Sequence, residues 1–304
     1  MQELNLLHKG KSHKKTLNAK FKENFFGYLF VLIPVLGFFL FTAWALGYSV
    51  FMSFTNFNAI KGTFKYVGFE NYIEIFKEEN FRDASLNTVL MLLSIPVGAF
   101  LGLLLAIYLK KLAKGRTLLT ILYYLPAVTS SLAIMIVFRD LFKNGEMGLI
   151  NSILGVELNW LSNDPWLIKI AIIIKNIWAG IGGSMILYLA GVNNIPESYY
   201  EVARVQGATR WQQFIDITLP MTNNTSFYLI VTGIIGGLQS YADSRVMGGG
   251  LPGARTIVYY IWNYGINQAN YGWASAASVL LSIVILIITV ILFSKSNVFK
   301  DVRK

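Results

Sequence analysis

Residues 193–220 read NNIPESYYEVARVQGATRWQQFIDITLP, a polar and helix-forming stretch set between two apolar runs. Asn194 is followed three residues later by Glu197, which is typical of a capping box at a helix start. Pro196 suits the first turn of such a helix, where a backbone N–H would have no partner. The spacing predicts a first helix that runs to about Val205.

A glycine divides this stretch into two parts. Gly207 can adopt the left-handed conformation that the end of a helix favours. Thr209 and Gln212 form a second capping pair, which predicts a second short helix, and Pro220 closes the unit. The sequence therefore predicts a helical hairpin. A surface hairpin in any membrane protein would show the same capping residues and glycine.

The composition indicates a membrane protein. Of the 304 residues, 55% are hydrophobic and only 14% are charged, which is too apolar for a soluble domain of this length. The apolar residues are concentrated in runs close to the roughly 20 residues that cross a bilayer. The net charge of +10 lies in short loops and tails beside those runs. No basic stripe interleaved with aromatic residues is present, so nucleic acid is not expected as a partner.

The residue types also limit the chemistry of the chain. There are no cysteines, which excludes disulfides, thiol catalysis and cysteine metal sites. The two histidines, His8 and His13, lie in the N-terminal tail. The chain lacks the loop G-x-x-x-x-G-K-[ST] that binds nucleotide phosphates. We therefore expect no catalytic residues, no metal site and no cofactor bound by this chain.

The apolar runs predict an all-α membrane protein with six transmembrane helices. The first run follows a basic tail, as in a signal peptide, but it exceeds the roughly 7–15 residues of a signal core, so a retained span is favoured. The predicted transmembrane domain covers 25–293, between tails at 1–24 and 294–304. The spans are placed at about 25–49, 86–109, 118–138, 170–190, 226–241 and 273–293, with a polar loop at 191–223.

The distribution of lysine and arginine sets the orientation. With both termini in the cytoplasm, the inner loops and tails hold twice as many of these residues as the outer loops. This is the bias of the positive-inside rule. The basic turn after the second span, at 110–116, supports the same orientation. The loop at 191–223 is thereby placed in the cytoplasm without reference to any family.

The hairpin resembles the EAA signature of ABC importer membrane subunits. In that signature, E-A-A is followed by a glycine and, ten residues later, by I-x-L-P. Val202 stands where alanine is usual, and Gln206 stands where a small or acidic residue often precedes the glycine. The matching residues here are Glu201, Ala203, Gly207, Ile217, Leu219 and Pro220. The outer segments 53–58, 67–72, 248–262 and 271–279 resemble the same positions of carbohydrate importers.

This resemblance implies a type I ABC importer permease fold, in which the hairpin is a coupling helix that docks on an ATPase subunit. It implies a second, similar permease subunit, two ATPase subunits that bind ATP and Mg²⁺, and an extracellular solute-binding protein. The substrate would be a sugar, in particular an oligosaccharide, and the location the bacterial cytoplasmic membrane. The expected coupling residues are Tyr199, Tyr200, Glu201, Ala203, Arg204, Gly207, Trp211, Ile217, Leu219 and Pro220.

Polar side chains in or near the spans are candidates for a substrate path, namely Ser130, Asn176, Trp178, Gln239, Tyr241 and Asp243. A hydroxyl such as that of Ser130 equally often bonds to its own helix. The fifth run is short and rich in glycine, which indicates either a transport site or a close helix crossing. Lys175 lies near the start of the fourth run, so snorkelling to the outer interface explains it.

Two other function classes remain as alternatives at this point. An ion-coupled secondary transporter or channel would need acidic residues within the spans, and almost none lie between the interfaces. A membrane enzyme would need converging catalytic groups at one interface. Without cysteine or membrane histidine, the chain offers little for such a site.

Overall fold

The computed structural model describes residues 24–25, 27–162 and 164–295. The predicted cytoplasmic tails, 1–24 and 294–304, lie almost entirely outside this part of the chain. Among the described residues the protein is helical, and isolated β-bridges occur in place of strands. This confirms the all-α prediction. The contacts divide the chain into two compact units, Met1–Met52 and Ser53–Lys304.

Thirteen helical segments are labelled here in chain order. The first seven are α1 (Gly27–Ser53), α2 (Glu70–Lys77), α3 (Glu79–Met91), α4 (Ser94–Lys111), α5 (Arg116–Val128), α6 (Ser131–Leu141) and α7 (Leu149–Leu154). The others are α8 (Pro165–Asn193), α9 (Glu197–Val205), α10 (210–221), α11 (Asn223–Leu238), α12 (Ile257–Trp262) and α13 (Tyr271–Lys295). Wider π-helical turns interrupt α1 and α10, follow α12, and form the segment Asp243–Met247.

The structure contains fewer membrane-length helices than the six predicted spans. Four stretches of the described chain are long and apolar enough to cross a membrane: α1, the joined helices α3 and α4, α8, and α13. The pair α5 and α6 would make a fifth. The segment at the fifth predicted span, α11, has 16 residues, or about 24 Å at 1.5 Å per residue. This is shorter than the roughly 30 Å hydrocarbon core.

The predicted third span, 118–138, is not one straight helix. It consists of α5 and α6, which are bent by 96°. Pro126 lies in the last turn of α5, and Thr129 has the extended backbone angles φ −80° and ψ 149°. Since proline lacks an N–H and Thr129 leaves the helical region, the first helix ends there and a new one starts at Ser131.

The centre of the membrane body is the packing of α4 along α8. Buried side chains from both helices, including Leu103 and Met185, form one apolar cluster. Gly98 and Gly102, four residues apart, lie on α4. A Cβ on Gly102 would come within 2.7 Å of the Ser184 Cβ. Gly102 therefore permits a close helix crossing between α4 and α8.

At the opposite end from the basic turn, long-range hydrogen bonds hold the connecting segments together. The side-chain amide of Asn87 donates to the carbonyls of Pro252 and Arg255 at 2.8 and 3.0 Å. The amide of Asn58 donates to the carbonyl of Gln268 at 3.2 Å. These bonds tie the segment before α12 and the turn after it to the first loop and to α3.

A half-buried carboxylate, that of Glu78, strengthens the same region. The phenol groups of Tyr260 and Tyr264 both donate hydrogen bonds to Glu78. Burial raises the pKa of both tyrosines well above the ordinary range, and the adjacent Glu78 carboxylate raises it further. Both phenols therefore remain protonated donors at neutral pH.

Candidate functional site

The first helix of the predicted hairpin is α9. It ends at Val205, as predicted, but it begins at Glu197 with Pro196 as its N-cap and without a side-chain cap. The capping box predicted for Asn194 and Glu197 is therefore wrong. Pro196 instead favours the start of α9 through its fixed φ angle, because its ring restricts the backbone just before the first helical turn.

The turn of the hairpin has the predicted geometry. Gly207 adopts φ +82°, in the region that non-glycine residues rarely occupy. The amide of Ala208 donates to the carbonyl of Ala203 at 2.9 Å, which closes the end of α9. A Cβ on Gly207 would meet no heavy atom within 4 Å. The glycine is therefore required by the backbone angle and not by lack of space.

The second helix begins with the predicted capping box. The amide of Gln212 donates to the Thr209 hydroxyl at 3.3 Å, and the amide of Thr209 donates to the Gln212 side chain at 2.7 Å. Pro220 lies one residue before the end of α10 at Met221. It lies in the helical segment Leu219–Met221, where its missing N–H falls in the first turn, and α11 starts two residues after that segment.

Apolar side chains are exposed along the hairpin. Val205 is 90% and Trp211 is 68% exposed, and Tyr199 and Val202 are also exposed. Large apolar side chains grouped on a polar loop indicate a protein-binding surface. We call these four residues the hairpin face. Val202 and Val205 were not predicted as contact residues. Their positions in and beside the motif, as apolar residues of a polar loop, could have indicated them.

The other predicted coupling residues have different surroundings. Tyr200 faces the body of the hairpin, where its hydroxyl lies 3.0 Å from that of Thr218. Glu201 is exposed, and Arg204 is paired with Glu197 at 3.4 Å on the surface.

A cleft of about 280 Å³ separates α9 from α10, and Ala203 and Ile217 line it. Leu219 and Pro220 are exposed but do not line this cleft.

The hairpin and the basic turn lie on the same side of the protein. The ammonium group of Lys110, at the end of α4, donates to the carbonyl of Val192 at 2.9 Å, near the end of α8. It also lies 5.5 Å from the centre of the Tyr200 ring. Because the carbonyls at a helix end attract cations, Lys110 stabilises the point where α8 leads into the hairpin.

The second candidate site is a cavity of about 570 Å³ between α4, α8 and α11. Its polar wall includes Asn176, Ser184, Thr232, Ser240 and Asp243. Tyr228 adds an aromatic ring. Hydroxyls, an amide and a ring in an otherwise apolar cavity are groups that suit a polar organic ligand.

The glycines of the fifth predicted span have two roles. A Cβ on Gly233 would come within 2.6 Å of Ile95, and one on Gly237 within 2.6 Å of Leu92, so these two allow close packing of α11. Gly236 also lines the cavity, but a Cβ there would meet nothing within 4 Å. Since all three glycines line the cavity, the cavity interpretation applies to the whole run and the packing interpretation to Gly233 and Gly237.

Lys175 does not snorkel to the interface, so that prediction is wrong. Its side chain is 6% exposed and its ammonium nitrogen lies 2.5 Å from a carboxylate oxygen of Asp243, whose side chain is 7% exposed. The two residues are 68 positions apart in sequence. A buried cation needs a counter-ion. The sequence could have indicated this pair, because Lys175 and Asp243 are one basic and one acidic residue near apolar runs.

Of the six predicted path residues, Asn176 and Asp243 line the cavity. Trp178 packs against Phe138, with ring centres 5.2 Å apart, and Tyr241 stacks with Tyr259. Ser130 is exposed at the bend between α5 and α6, and Gln239 is exposed at the end of α11. The cavity-lining Ser184, Tyr228 and Thr232 were not predicted. The sequences around these residues do not show which hydroxyls face a cavity.

The chain folds as a helical membrane body with a polar-lined cavity and with a polar hairpin that exposes apolar side chains between two of its helices. The chain belongs to the family described as "Binding-protein-dependent transport system inner membrane component", which matches residues 94–304. It is therefore a multi-pass protein of the cytoplasmic membrane and an ABC transporter permease.

Individual relatives agree with this assignment. The chain is 32% identical over 288 residues to the "Probable ABC transporter permease protein YesP" of Bacillus subtilis (strain 168), covering 91% of this chain and 92% of that one. It is 32% identical to the "Arabinooligosaccharides transport system permease protein AraP" of the same strain, covering 90% and 89%.

A solved structure is similar along most of the chain. It is the crystal structure of a bacterial ABC transporter involved in the import of the acidic polysaccharide alginate, matched with a TM-score of 0.77 and 27% identity. The match covers 91% of this chain and 97% of that one.

Proposed function

We propose that this chain is the permease subunit of an ABC importer that moves a sugar, in particular an oligosaccharide, by alternating access. The observation that supports this most directly is the exposed hairpin face beside the basic turn, joined through α8 and α11 to a cavity within the membrane body. Packed helices shift between discrete arrangements. Motion of a docked ATPase at the hairpin would therefore reach the cavity through these two helices.

The proposal includes partners and topology. Two ATPase subunits would bind ATP and Mg²⁺ and dock on the hairpin face, and a second, similar permease subunit would complete the path. An extracellular solute-binding protein would deliver the sugar. Six spans with both termini in the cytoplasm accord with the lysine and arginine distribution. The sugar class is supported by the arabinooligosaccharide permease among the relatives and by the polar wall of the cavity.

Replacing Val205 with aspartate should remove the ATPase from the purified complex. Val205 is the most exposed residue of the hairpin face, and a carboxylate buried at an apolar interface carries a large desolvation cost. We expect at least roughly tenfold less ATPase to copurify with the tagged chain, for a cost of about 1.4 kcal/mol or more. The measurement is the ratio of ATPase to permease after extraction from the native membrane.

The matched control is Ile60→Asp. Ile60 is 73% exposed in the first loop, at the opposite end of the protein, and its replacement should leave the ATPase ratio unchanged. Equal ATPase recovery with Val205→Asp and Ile60→Asp would contradict the docking proposal. Wild-type chain that purifies without any ATPase would favour an ion-coupled transporter instead.

Filling the cavity should stop uptake without unfolding the protein. Gly183 lines the cavity, and a Cβ there would meet nothing within 4 Å. Phenylalanine at this position would therefore extend into open space, while a helical glycine is replaced by a better helix former. We expect Gly183→Phe to lower sugar uptake by roughly tenfold or more, an effect that requires about 1.4 kcal/mol or more. Gly183→Ala should retain most of the uptake.

The control on the same helix is Ile174→Phe. Ile174 is exposed and does not line the cavity, so the added ring should leave uptake unchanged. Uptake would be measured with radiolabelled oligosaccharide in cells that contain equal amounts of each variant. Normal uptake by Gly183→Phe would show that the cavity is not the sugar path.

A further inference from the structure

We propose that the cavity accepts uncharged, hydroxyl-rich saccharides and disfavours anionic ones. The wall presents a carboxylate and two hydroxyls whose protons are used within their own helices, and among the described residues that line it there is no lysine or arginine. This inference rests on the proposed function and deepens it, because it assigns a substrate class to the same cavity.

The first argument concerns hydrogen-bond donors. The hydroxyl of Ser184 donates to the carbonyl of Gly180 at 3.0 Å, and that of Thr232 donates to the carbonyl of Tyr228 at 2.7 Å. Each hydroxyl has one proton and two lone pairs. With its proton used inside the helix, each of these groups can only accept a hydrogen bond from a ligand. Sugar hydroxyls can donate to these two oxygens, whereas a carboxylate is an acceptor alone. The Asn176 amide and the Tyr228 phenol in the same wall can donate to a ligand of either kind.

The second argument concerns charge. Asp243 lines the cavity, but its partner Lys175 does not. The hydroxyl of Ser240, also in the wall, lies 3.4 Å from the second carboxylate oxygen of Asp243. The pair is neutral as a whole, yet its negative end faces the cavity and its positive end is buried in the protein. In a site of low polarity, such a dipole repels an approaching anion more strongly than it would in water.

Both arguments separate this chain from the similar structure named above. That transporter is involved in the import of an acidic polysaccharide, whose repeated carboxylates would meet acceptors and a negative end here.

A thiol probe can measure the charge environment of the cavity without any substrate. The chain has no cysteines, so a single introduced thiol is the only reactive one in it. Gly236→Cys would place a thiol in the cavity wall, where a Cβ meets nothing within 4 Å. The complete transporter would be treated with a cationic trimethylammonium-ethyl methanethiosulfonate or an anionic sulfonatoethyl methanethiosulfonate. The mixed disulfide that each reagent forms is detected as an increase in the mass of this chain.

The measured quantity is the rate at which the cationic reagent modifies the thiol, divided by the rate at which the anionic reagent does so. Both reagents need the same thiolate, so any change in thiolate fraction cancels in this ratio. Asn159→Cys, at an exposed position of the second outer loop, gives the ratio of the two labelling rates for a thiol in water. We expect the Gly236→Cys ratio to exceed the Asn159→Cys ratio by roughly threefold or more.

Two double variants extend the test. Lys175→Gln with Asp243→Asn removes both charges and should bring the ratio close to that of Asn159→Cys. Lys175→Glu with Asp243→Lys reverses the pair and should favour the anionic reagent. A ratio in the otherwise wild-type Gly236→Cys chain that equals the Asn159→Cys ratio, or falls below it, would overturn the proposal. That result needs neither double variant to fold.

This experiment is independent of the permease proposal. The labelling ratio requires neither ATP hydrolysis nor uptake, so it stays decisive when the uptake and copurification tests fail. Conversely, a transporter that takes up a neutral arabinose oligosaccharide while its cavity prefers the anionic reagent would keep the permease function and overturn the charge inference.

Discussion

Replacing Gly207 with valine is expected to lower ATP-driven uptake by roughly tenfold or more, because a branched residue resists the left-handed backbone of the hairpin turn. Gly207 adopts φ +82°, and holding a non-glycine residue there costs about 1–3 kcal/mol. The surrounding space is open, so valine creates no clash. The turn would instead relax, and α9 would change its angle to α10.

The same variant should uncouple the ATPase from transport. If the hairpin transmits motion, an altered angle lets the ATPase turn over without moving α8 and α11. The measurements are sugar uptake and ATP hydrolysis by the purified complex, together with the amount of permease in the membrane. Insertion should be unchanged, since the apolar helices are not touched.

Gly207→Asn is the matched control. Asparagine enters the left-handed region far more readily than valine does, so it should retain most of the uptake while adding a side chain of similar size. Normal uptake by Gly207→Val would contradict the role of the turn in coupling. Equal loss in both variants would indicate that side-chain bulk matters and not the backbone angle.

Breaking the buried pair of Lys175 and Asp243 should strongly destabilise the protein. Both side chains are at least nine-tenths buried, and removing one partner leaves an uncompensated charge. The expected cost is about 3–5 kcal/mol. Lys175→Met should therefore lower the melting temperature of the detergent-solubilised chain by roughly 10 °C. The measurement is thermal unfolding followed by tryptophan fluorescence.

A double variant separates the charge effect from packing. Lys175→Met with Asp243→Leu replaces both charges by apolar groups, an exchange that is often neutral in buried ion pairs. We expect most of the lost stability to return. A double variant as unstable as Lys175→Met alone would show that the pair matters for packing and not for charge neutralisation.

The buried pair also has a structural position that connects stability to function. Lys175 lies on α8, which leads directly into the hairpin, and Asp243 starts the π-helical segment that follows α11. The pair thus joins α8 to the segment that follows α11. It fixes the wall of the cavity at the end opposite the hairpin.

The amino-acid sequence by itself determined the features that depend on neighbouring residues. The apolar runs gave the membrane class and the helical fold. The cap formed by Thr209 and Gln212, the left-handed Gly207 and the end of α9 at Val205 all follow from groups within a few residues of one another. Such features are predictable because the hydrogen bonds and backbone angles that decide them are local.

Only the tertiary structure decided the features that depend on distant residues. Lys175 pairs with a residue 68 positions away, and no periodicity contains that information. Gly233 and Gly236 both line the cavity from one short helix, yet a Cβ on Gly233 would clash with Ile95 and one on Gly236 would meet open space. Rotation of each helix about its axis is set by the volume and charge of the side chains packed against it. The lining of the cavity therefore emerges only when the helices are packed together.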